Sequence, residues 1–403
     1  MIKRDVYLKR ILPFVEKDVI KVLTGIRRSG KSVMLTLIQD ELLFRGVHAS
    51  QIIKFNFESF INAPFCTAMA LYQEISRRIQ GIEGKTYLFL DEIQEVQDWE
   101  KCINSIRCDF DCDIYITGSN AHLLSGELAT YLGGRYVEFV IYPFSFEEFF
   151  MARQQMTPQI TSADCFKNYI KIGGMPFLST FAQDMEAMTQ YLNDIYHSIV
   201  LKDIVKRNNI RDIDLLEKLV TYIMANNGHV FSARSISAFF KSEKRTVSTE
   251  TILNYLSACQ EAFLFYKVSR EDMAGKKVLT VNEKYYIADH GMREAIYGRN
   301  TEDIDQILEN IVYIELKRRG YAVTIGKVGD LEIDFIAKKN NDKLYIQVAY
   351  LLASEQTIQR EFGVYNAISD HYPKYVISMD ELDMSRNGIR HRNIRDFLLD
   401  MTW

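Results

Sequence analysis

"TGIRRSGKSVML", residues Thr24 to Leu35, contains the pattern G-x-x-x-x-G-K-[ST]. The fixed positions of this pattern are Gly25, Gly30, Lys31 and Ser32. The preceding run, "DVIKVLT", is rich in β-branched residues and predicts a strand, whereas "SVMLTLIQDELLF" (32–44) has the periodicity of a helix. We therefore expect a phosphate-binding loop between a strand and a helix, and the alternative is a glycine turn that only links the two elements.

The residue types in this loop fit the chemistry of phosphate binding. Glycines let backbone N–H groups wrap phosphate oxygens, and the N-terminus of the following helix adds a favourable dipole. Lys31 is predicted to reach the terminal phosphates, and the Ser32 hydroxyl is predicted to ligate Mg²⁺. Arg27 and Arg28 are ambiguous, because variable positions of such a loop often face solvent.

A second signal lies in "KTYLFLDEIQEVQDW" (85–99), where an apolar strand ends in two carboxylates, Asp91 and Glu92. An open α/β sheet binds its ligands at the carboxyl edge of the strands, so these acids are expected beside the loop. Asp91 is predicted to hold magnesium through its water shell, and Glu92 is predicted to polarise the attacking water. Agreement between the loop and the acidic strand end makes the bare glycine turn improbable.

Two further candidates follow along the chain. "DIYITGSN" (113–120) predicts a strand that ends in Ser119 and Asn120, which could contact the γ-phosphate or the water, although "GSN" could also be a simple turn. "LLSGELATYLGGRYVEFVIYPFSFEEFF" (123–150) predicts a helix, a glycine break, Arg135, a strand and a stop at Pro143 before another helix. Arg135 could stabilise transition-state charge, commonly from a neighbouring subunit, or it could be a surface arginine.

The predicted catalytic residues are therefore Lys31, Glu92, Asn120 and Arg135. The residues predicted to contact the nucleotide are Gly25, Ile26, Arg27, Arg28, Ser29, Gly30, Lys31, Ser32, Val33, Asp91 and Ser119. The predicted metal ligands are Ser32 and Asp91.

With these residues in place, the chain resembles an AAA-type ATPase of the large prokaryotic group that couples an AAA domain to a C-terminal domain of unknown function. The resemblance covers nearly the whole chain and rests on "GIRRSGKS", "LFLDEIQEVQDW", "TGSN", "GGRYVEFVIYPFSFEEF", "GGMP" (173–176) and "KYYIADHGMREA" (284–295). It implies an α/β class, with an αβα sandwich around a parallel sheet over residues 1–155, and ATP with Mg²⁺ as the ligand. Ser119 or Asn120 matches the sensor position of that group.

Residues 156–205 and 206–300 are predicted to form a helical lid or linker and a winged-helix-like domain. The run 214–270 predicts three amphipathic helices and a strand, with Ser232 and Ser248 as N-caps and a hairpin turn at Ala274 and Gly275. Residues 229–280 hold 8 Lys/Arg against 5 Asp/Glu, a local net charge of +3, with Lys241, Lys244 and Arg245 clustered. The helix could enter a DNA groove or serve only protein packing.

Residues 301–403 resemble a PD-(D/E)XK nuclease core: a helix (303–321), two strands in 332–352, and a further helix, strand and helix. That resemblance implies that Glu309 and Asp334 occupy the acidic positions around Mg²⁺. In "IQVAY", Gln347 stands for the second acid and Ala349 for the lysine, so we expect an inactive nuclease-like fold used for binding. Gln347 could still ligate a metal weakly through its carbonyl.

The overall composition excludes little. Hydrophobic residues make up 47% of the 403 residues, which is typical of a packed multidomain protein, and the net charge of −4 neither indicates nor excludes a nucleic-acid partner. The N-terminus does not resemble a signal peptide and no apolar run is long enough to span a membrane, so a cytoplasmic protein is expected. Three hypotheses follow: an ATPase that moves its C-terminal half, a nucleotide-switched module that binds DNA or protein, and an ATP-dependent nuclease. Homo-oligomerisation is left open.

Overall fold

The computed structural model describes residues 2–121, 134–181, 184–272, 277–298, 303–329 and 331–403, with the backbone alone over 277–282. The chain divides into two compact units. The first unit is Met1–Tyr142 with Glu261–Phe263, and the second is Pro143–Gln260 with Leu264–Trp403. In the part of the chain that the structure describes, no helix is long and apolar enough to cross a membrane.

The first unit is built on a parallel sheet of five strands in the order β2-β3-β4-β1-β5. Its elements are α1 (Asp5–Ile11), β1 (Ile20–Thr24), α2 (Lys31–Phe44), β2 (Ile52–Asn56), α3 (Ala68–Ile79), β3 (Thr86–Asp91), α4 (Trp99–Asp109), β4 (Cys112–Thr117) and β5 (Tyr136–Val140). The α/β class and the parallel sheet predicted from the sequence are therefore confirmed. The predicted helix and glycine break over 123–133 lie outside the described residues.

The central strands of this sheet are buried on both faces, which explains their continuous apolar sequence. On one face, α3 and α4 cover the strands through side chains such as Leu71, Trp99 and Ile103, which pack on Val22 and Leu90. The residues of α2 lie outside this cluster, and α2 packs against β3 and β4. Burial of each strand fixes its register. Because β1, β3 and β4 pair in parallel, their carboxyl ends meet at one edge of the sheet.

The second unit contains an eight-stranded mixed sheet in the order β13-β12-β11-β10-β9-β7-β8-β6. Its helices are α5 (Phe146–Met156), α6 (Ser162–Ile172), α7 (Met185–Ser198), α8 (Ile213–Ala225), α9 (Ala233–Ser242), α10 (Thr249–Glu261), α11 (His290–Ile296), α12 (Ile304–Arg318), α13 (Glu355–Gly363) and α14 (Ile394–Leu399). Its strands are β6 (Val230–Phe231), β7 (Phe265–Asp272), β8 (Lys277–Ile287), β9 (Ala322–Val328), β10 (Leu331–Lys339), β11 (Asp342–Val348), β12 (Lys374–Ser378) and β13 (Arg390–Asn393). After α7 the chain continues as a π-helix, Ile199–Val205.

The division between units differs from the predicted boundary at 155. Helix α5 belongs to the second unit, because the Phe146 ring lies 4.8 Å from that of Phe166 on α6. The predicted boundary at 300 does not separate two sheets, since β7 pairs in parallel with β9 and joins 206–300 to 301–403. Strand pairing between distant segments leaves no local mark in a sequence, which is why pattern changes missed it.

The three predicted helices of 214–270 are present as α8, α9 and α10, followed by the antiparallel pair β7 and β8, with β6 pairing with β8. The Ser232 hydroxyl accepts a hydrogen bond from Ser235 N and caps α9, as predicted. The Ser248 hydroxyl accepts one from Thr251 N at 3.0 Å in the same way at α10. The predicted hairpin turn at 274–275 lies outside the described residues.

The motifs "GGMP" and "KYYIADHGMREA" meet in the second unit. Asp289 is buried, and its carboxylate accepts hydrogen bonds from Gly174 N at 2.7 Å and Gly291 N at 2.9 Å. A Cβ atom on Gly173 would lie 2.1 Å from the Asp289 carboxylate, and one on Gly291 would lie 2.0 Å from Ile172 O. The glycines of both motifs therefore permit two backbones to cross closely, so these motifs serve packing.

Candidate functional site

The loop after β1 is held in a shape that only glycine permits at two positions. Gly25 has φ 132°, and a Cβ atom there would lie 2.3 Å from Ile141 O just past β5. Gly30 has φ 98° and is the N-cap of α2, so the loop turns directly into the N-terminus of a helix. Backbone amides and a helix dipole therefore converge on one point, as phosphate binding requires.

Lys31 is the basic residue at this point, and its side chain is only 4% exposed. Its ammonium donates to Gly25 O at 3.1 Å and to Ile26 O at 3.3 Å, and it lies 3.8 Å from a Glu92 carboxylate oxygen. The other Glu92 oxygen accepts from Gln94 Nε2 at 2.5 Å. The structure thus brings the predicted lysine and the predicted base together at the carboxyl edge of the sheet.

Asp91 lies beside this pair at the end of β3. One of its carboxylate oxygens accepts from the Thr117 hydroxyl at 2.6 Å, and the other accepts from Asn56 Nδ2 at 3.2 Å. The Ser32 hydroxyl lies close enough to Asp91 to lower the pKa of that carboxyl, so the two predicted metal ligands are neighbours. Burial is the main cause that raises the pKa of Asp91, and a cation placed here would counter it.

Five of the remaining predicted residues take different positions around the loop. Ser119 and Asn120 are buried just past the end of β4, the strand between β1 and β3. Arg27 is half-buried and pairs with Glu58 at 3.2 Å, whereas Arg28 is exposed, with φ 68°. Val33 is 43% exposed on the first turn of α2.

Arg135 lies at the opposite edge of the sheet from this loop in its own chain. Its carbonyl accepts from Ile20 N at 2.9 Å, at the start of β1, whereas the loop follows Thr24 at the other end. At about 3.3 Å per residue, the length of β1 separates Arg135 from the loop by about 13 Å along the strand. The sequence analysis already placed Arg135 before its strand, and in a parallel sheet that position lies at the amino edge, away from the loop. A catalytic role for Arg135 stays a prediction.

Sequence reasoning missed a residue that supports the loop from outside the motif. Arg4 is 1% exposed and donates to Ser29 O at 3.0 Å and to Tyr142 O at 2.8 Å. Its guanidinium also lies 4.5 Å from the ring centre of Tyr7, whose hydroxyl accepts from Tyr142 N. Nothing in the sequence links Arg4 to a loop 25 residues away. The one weak signal is that Arg4 is an arginine at a position that is otherwise suited to burial.

The residues present fit a magnesium nucleotide. The Ser29 hydroxyl is fully buried in the loop and has no hydrogen-bond partner among the described residues. A ligand oxygen would satisfy it, because a buried hydroxyl without a partner is unfavourable. Ser32 and Asp91 supply the oxygen ligands that Mg²⁺ prefers.

A parallel sheet with this loop and acidic strand end defines a P-loop NTPase fold. Residues 17–150 match the family model described as an AAA domain, and residues 163–303 match that described as the domain of unknown function DUF8612. The chain belongs to the AAA domain family. In this chain a domain of unknown function follows the AAA domain. The predicted pairing of these two parts is therefore confirmed, whereas its winged-helix and nuclease-like details remain predictions.

Relatives cover nearly the full length of the chain. A Haemophilus influenzae protein is 40% identical over 99% of each chain, and a Methanocaldococcus jannaschii protein is 30% identical over 92% of this chain and 82% of its own. Among solved structures, the Walker-type ATPase PABY2304 of Pyrococcus abyssi superposes with a TM-score of 0.52 over 73% of this chain and 96% of its own. At 14% identity this likeness concerns the fold alone.

The second unit contains a cluster that we call the carboxylate centre, formed by Lys284, Glu309, Glu332, Asp334 and Gln347. The Lys284 ammonium lies 3.1 Å from Glu309 Oε1 and 2.7 Å from Glu332 Oε1. Asp334 Oδ2 accepts from Val348 N at 2.8 Å, and burial is the main cause that raises its pKa. Of these residues, the sequence interpretation included Glu309, Asp334 and Gln347 and missed Lys284 and Glu332.

The two departures from the nuclease pattern have structural consequences. Gln347 Oε1 accepts from Asp334 N at 2.9 Å, and Gln347 Nε2 donates to Glu361 Oε2 at 3.0 Å. The carbonyl that could have ligated a metal is thus engaged with the backbone. Ala349 is buried in an apolar cluster with residues such as Ile333 and Leu352.

The basic cluster before α10, formed by Lys241, Lys244 and Arg245, is partly neutralised by carboxylates of the second unit. Arg245 donates to both carboxylate oxygens of Asp212, at 2.7 and 2.6 Å, and also pairs with Asp214. The exposed residues of α10 include Glu250 and Leu253, and the helix sequence contains no lysine or arginine. A phosphate contact in this region would therefore depend on Lys241 and Lys244, which are both exposed.

Proposed function

We propose that this protein binds ATP with Mg²⁺ and hydrolyses it. The observation that carries the proposal is the meeting of Lys31, Asp91 and Glu92 at one edge of a parallel sheet, beside a glycine loop. The chain's membership of the AAA domain family supports nucleotide binding in general. Adenine as the base is an expectation of that family, because nothing in the loop residues distinguishes adenine from guanine.

In this proposal the loop amides and Lys31 bind the phosphates, and Ser32 and Asp91 hold Mg²⁺, which neutralises phosphate charge when it is bound. Glu92 accepts the proton of the attacking water. It lies 3.8 Å from Lys31, and on phosphate binding we expect the lysine to turn to the phosphates and leave the Glu92 carboxylate to the water. Ser119 and Asn120, at the end of the neighbouring strand, contact the γ-phosphate or the water.

We further propose that hydrolysis moves the second unit and that Arg135 acts on the nucleotide of a second copy of the chain. Its exposed position at the amino edge of the sheet makes a role on its own nucleotide geometrically implausible. This part of the proposal predicts that active protein is oligomeric. Mixing Arg135→Ala chains with Lys31→Ala chains should then restore some activity, because each variant lacks a different half of a shared site.

The direct test is phosphate release from ATP by the purified full-length chain. Lys31→Ala should abolish release and weaken ATP binding, whereas Glu92→Gln should retain binding and lose release at least about 100-fold. Lys54→Ala, an exposed lysine on β2, is the matched control and should behave as the unchanged protein. Unchanged release in Lys31→Ala would remove the assignment.

A second candidate function is a nucleotide-switched binding module that hydrolyses slowly and holds DNA or protein through its second unit. The order α8, β6, α9, α10, β7, β8, which is that of a winged helix, favours this candidate. A gel shift of duplex DNA with and without ATP, repeated for Lys241→Ala with Lys244→Ala, tests it. Loss of a salt-sensitive shift in that double variant would identify DNA as the partner, and absence of any shift would leave a protein.

A further inference from the structure

The carboxylate centre does not fit the Mg²⁺ ion that a nuclease-like core implies. Gln347 donates and accepts within the protein, and Ala349 offers only a methyl group. Across the residues that the structure describes, no group of three or more His, Cys, Asp or Glu side chains is arranged to hold a metal ion. The acids of this centre must therefore be neutralised by something else.

An ammonium group already lies among these acids. Lys284 comes from β8, and its side chain is 5% exposed between Glu309 on α12 and Glu332 on β10. It contacts one oxygen of each carboxylate, at 3.1 and 2.7 Å. The Glu309 oxygen that faces Lys284 also accepts the Tyr286 hydroxyl at 2.5 Å.

A second cation completes the charge balance. Arg270 on β7 donates to the other Glu332 oxygen at 3.0 Å, so Glu332 lies between two positive charges. Charges removed from water are tolerated when they are paired and hydrogen-bonded in this way, and they are costly when one partner is lost. Side chains from β8 and β7 thus supply the positive charge that a divalent ion would otherwise provide.

We propose that the Lys284 ammonium is the fixed cation of the carboxylate centre, where it neutralises Glu309 and Glu332 and makes a divalent metal ion unnecessary. The second unit then keeps a nuclease-like layout of acids without the metal chemistry. Lys284 is a positioning residue that joins β8 to α12 and β10. This role of Lys284 lies within the second unit and does not depend on the proposed ATPase activity.

Charge rescue in thermal unfolding of the full-length, nucleotide-free chain tests this inference. Lys284→Met should lower the melting temperature by about 10 °C, because it removes a buried ammonium and leaves two half-buried carboxylates without their cation. Adding Glu309→Gln to Lys284→Met should recover at least about half of that loss, since it removes the unbalanced charge. A lysine that only fills space predicts no recovery, and that result would overturn the proposal.

Lys338, an exposed lysine that pairs with the half-buried Glu271 at 2.7 Å, is the matched control, because its ammonium stays in water. Lys338→Met should change the melting temperature by only about 1 to 2 °C, and adding Glu271→Gln should bring no recovery. If Lys284→Met alone is insoluble, recovery of soluble protein in the Lys284→Met, Glu309→Gln double variant supports the proposal, and continued insolubility counts against it.

Metal dependence gives an independent readout on the unaltered protein. Its melting temperature should be the same in EDTA, Mg²⁺ and Mn²⁺. The measurement is made without nucleotide, so that magnesium nucleotide bound to the first unit does not contribute. A fall in EDTA would overturn the proposal. Cleavage of plasmid DNA with Mn²⁺ that is lost in Asp334→Ala would overturn it as well.

Discussion

Two lysines in this protein lie beside carboxylates, and their surroundings differ. Lys31 in the first unit donates to the loop carbonyls of Gly25 and Ile26 and lies 3.8 Å from a carboxylate oxygen of Glu92. Lys284 in the second unit contacts carboxylate oxygens at 3.1 and 2.7 Å. The first lysine is held by main-chain carbonyls of the loop beside Glu92, whereas the second lies directly between two glutamates.

This difference separates a site built for a ligand from a centre that is complete in itself. In the first unit the Ser29 hydroxyl has no partner in the described part of the chain, and burial raises the pKa of Asp91. Both features are relieved by a ligand that brings oxygen atoms and a cation. In the second unit, Gln347 is engaged at both ends of its amide, and the acids are neutralised by side chains of the same chain.

The largest expected effect comes from adding a side chain to the phosphate-binding loop of the first unit. Gly25→Ala should lower nucleotide affinity at least about 100-fold, because the new Cβ atom would meet Ile141 O in a backbone conformation that L residues avoid. Gly46→Ala is the matched control, since Gly46 also has positive φ but nothing within 4 Å. Calorimetry with magnesium ATP measures both. Equal affinities in the two variants would contradict the loop geometry.

The second way is to restore the acid that the second unit lacks. Gln347→Glu should lower the free energy of unfolding by about 2 kcal/mol, because it loses the donor to Glu361 and places like charges together. Gln359→Glu is the matched control: it also faces a glutamate, Glu355 at 3.4 Å, but on the surface. Urea unfolding measures both variants. A stable Gln347→Glu that binds Mn²⁺ would show that the centre is open to metal.

The sequence predicted the first unit well because its signals are local. The strand before Gly25, the helix after Lys31 and the strand before Asp91 each depend on neighbouring residues, and a parallel sheet brings such strand ends to one edge. Arg135 precedes β5, as the sequence order indicated, and a residue before a parallel strand lies at the amino edge of the sheet, away from the loop.

The second unit was predicted less completely because its centre is assembled from distant segments. The pattern placed the expected lysine at position 349, but the cation comes from Lys284 on a strand that precedes α12. Glu361 reaches Gln347 from a helix that follows the strand. Pairing of β7 with β9 brings these parts into one sheet, and only the three-dimensional structure contains that contact.

A smaller effect should follow from removing the support of the loop. Arg4→Ala should weaken nucleotide binding about 10-fold, because Ser29 O and Tyr142 O lose their donor and the loop is less well fixed. Arg4→Lys should recover part of this loss, and Lys9→Ala, exposed on α1, should have no effect. Calorimetry and turnover together give the readout. A loss of turnover with unchanged affinity would place Arg4 in catalysis instead of loop support.

The smallest expected effect is a pH dependence that belongs to the first unit's site. Burial raises the pKa of Asp91, so the nucleotide-free folded chain holds this proton to a higher pH than the unfolded chain. The stability due to that proton is fully present below the usual aspartate pKa of 3.8 and is lost as pH rises through the raised value. Magnesium nucleotide should oppose this loss, because the metal binds the carboxylate form. Urea unfolding from about pH 4 to about pH 7 measures the slope of the free energy of unfolding against pH. Asp91→Asn should flatten it, and Asp40→Asn, exposed on α2, should not; an identical slope in both variants would mean that Asp91 is not the group that titrates.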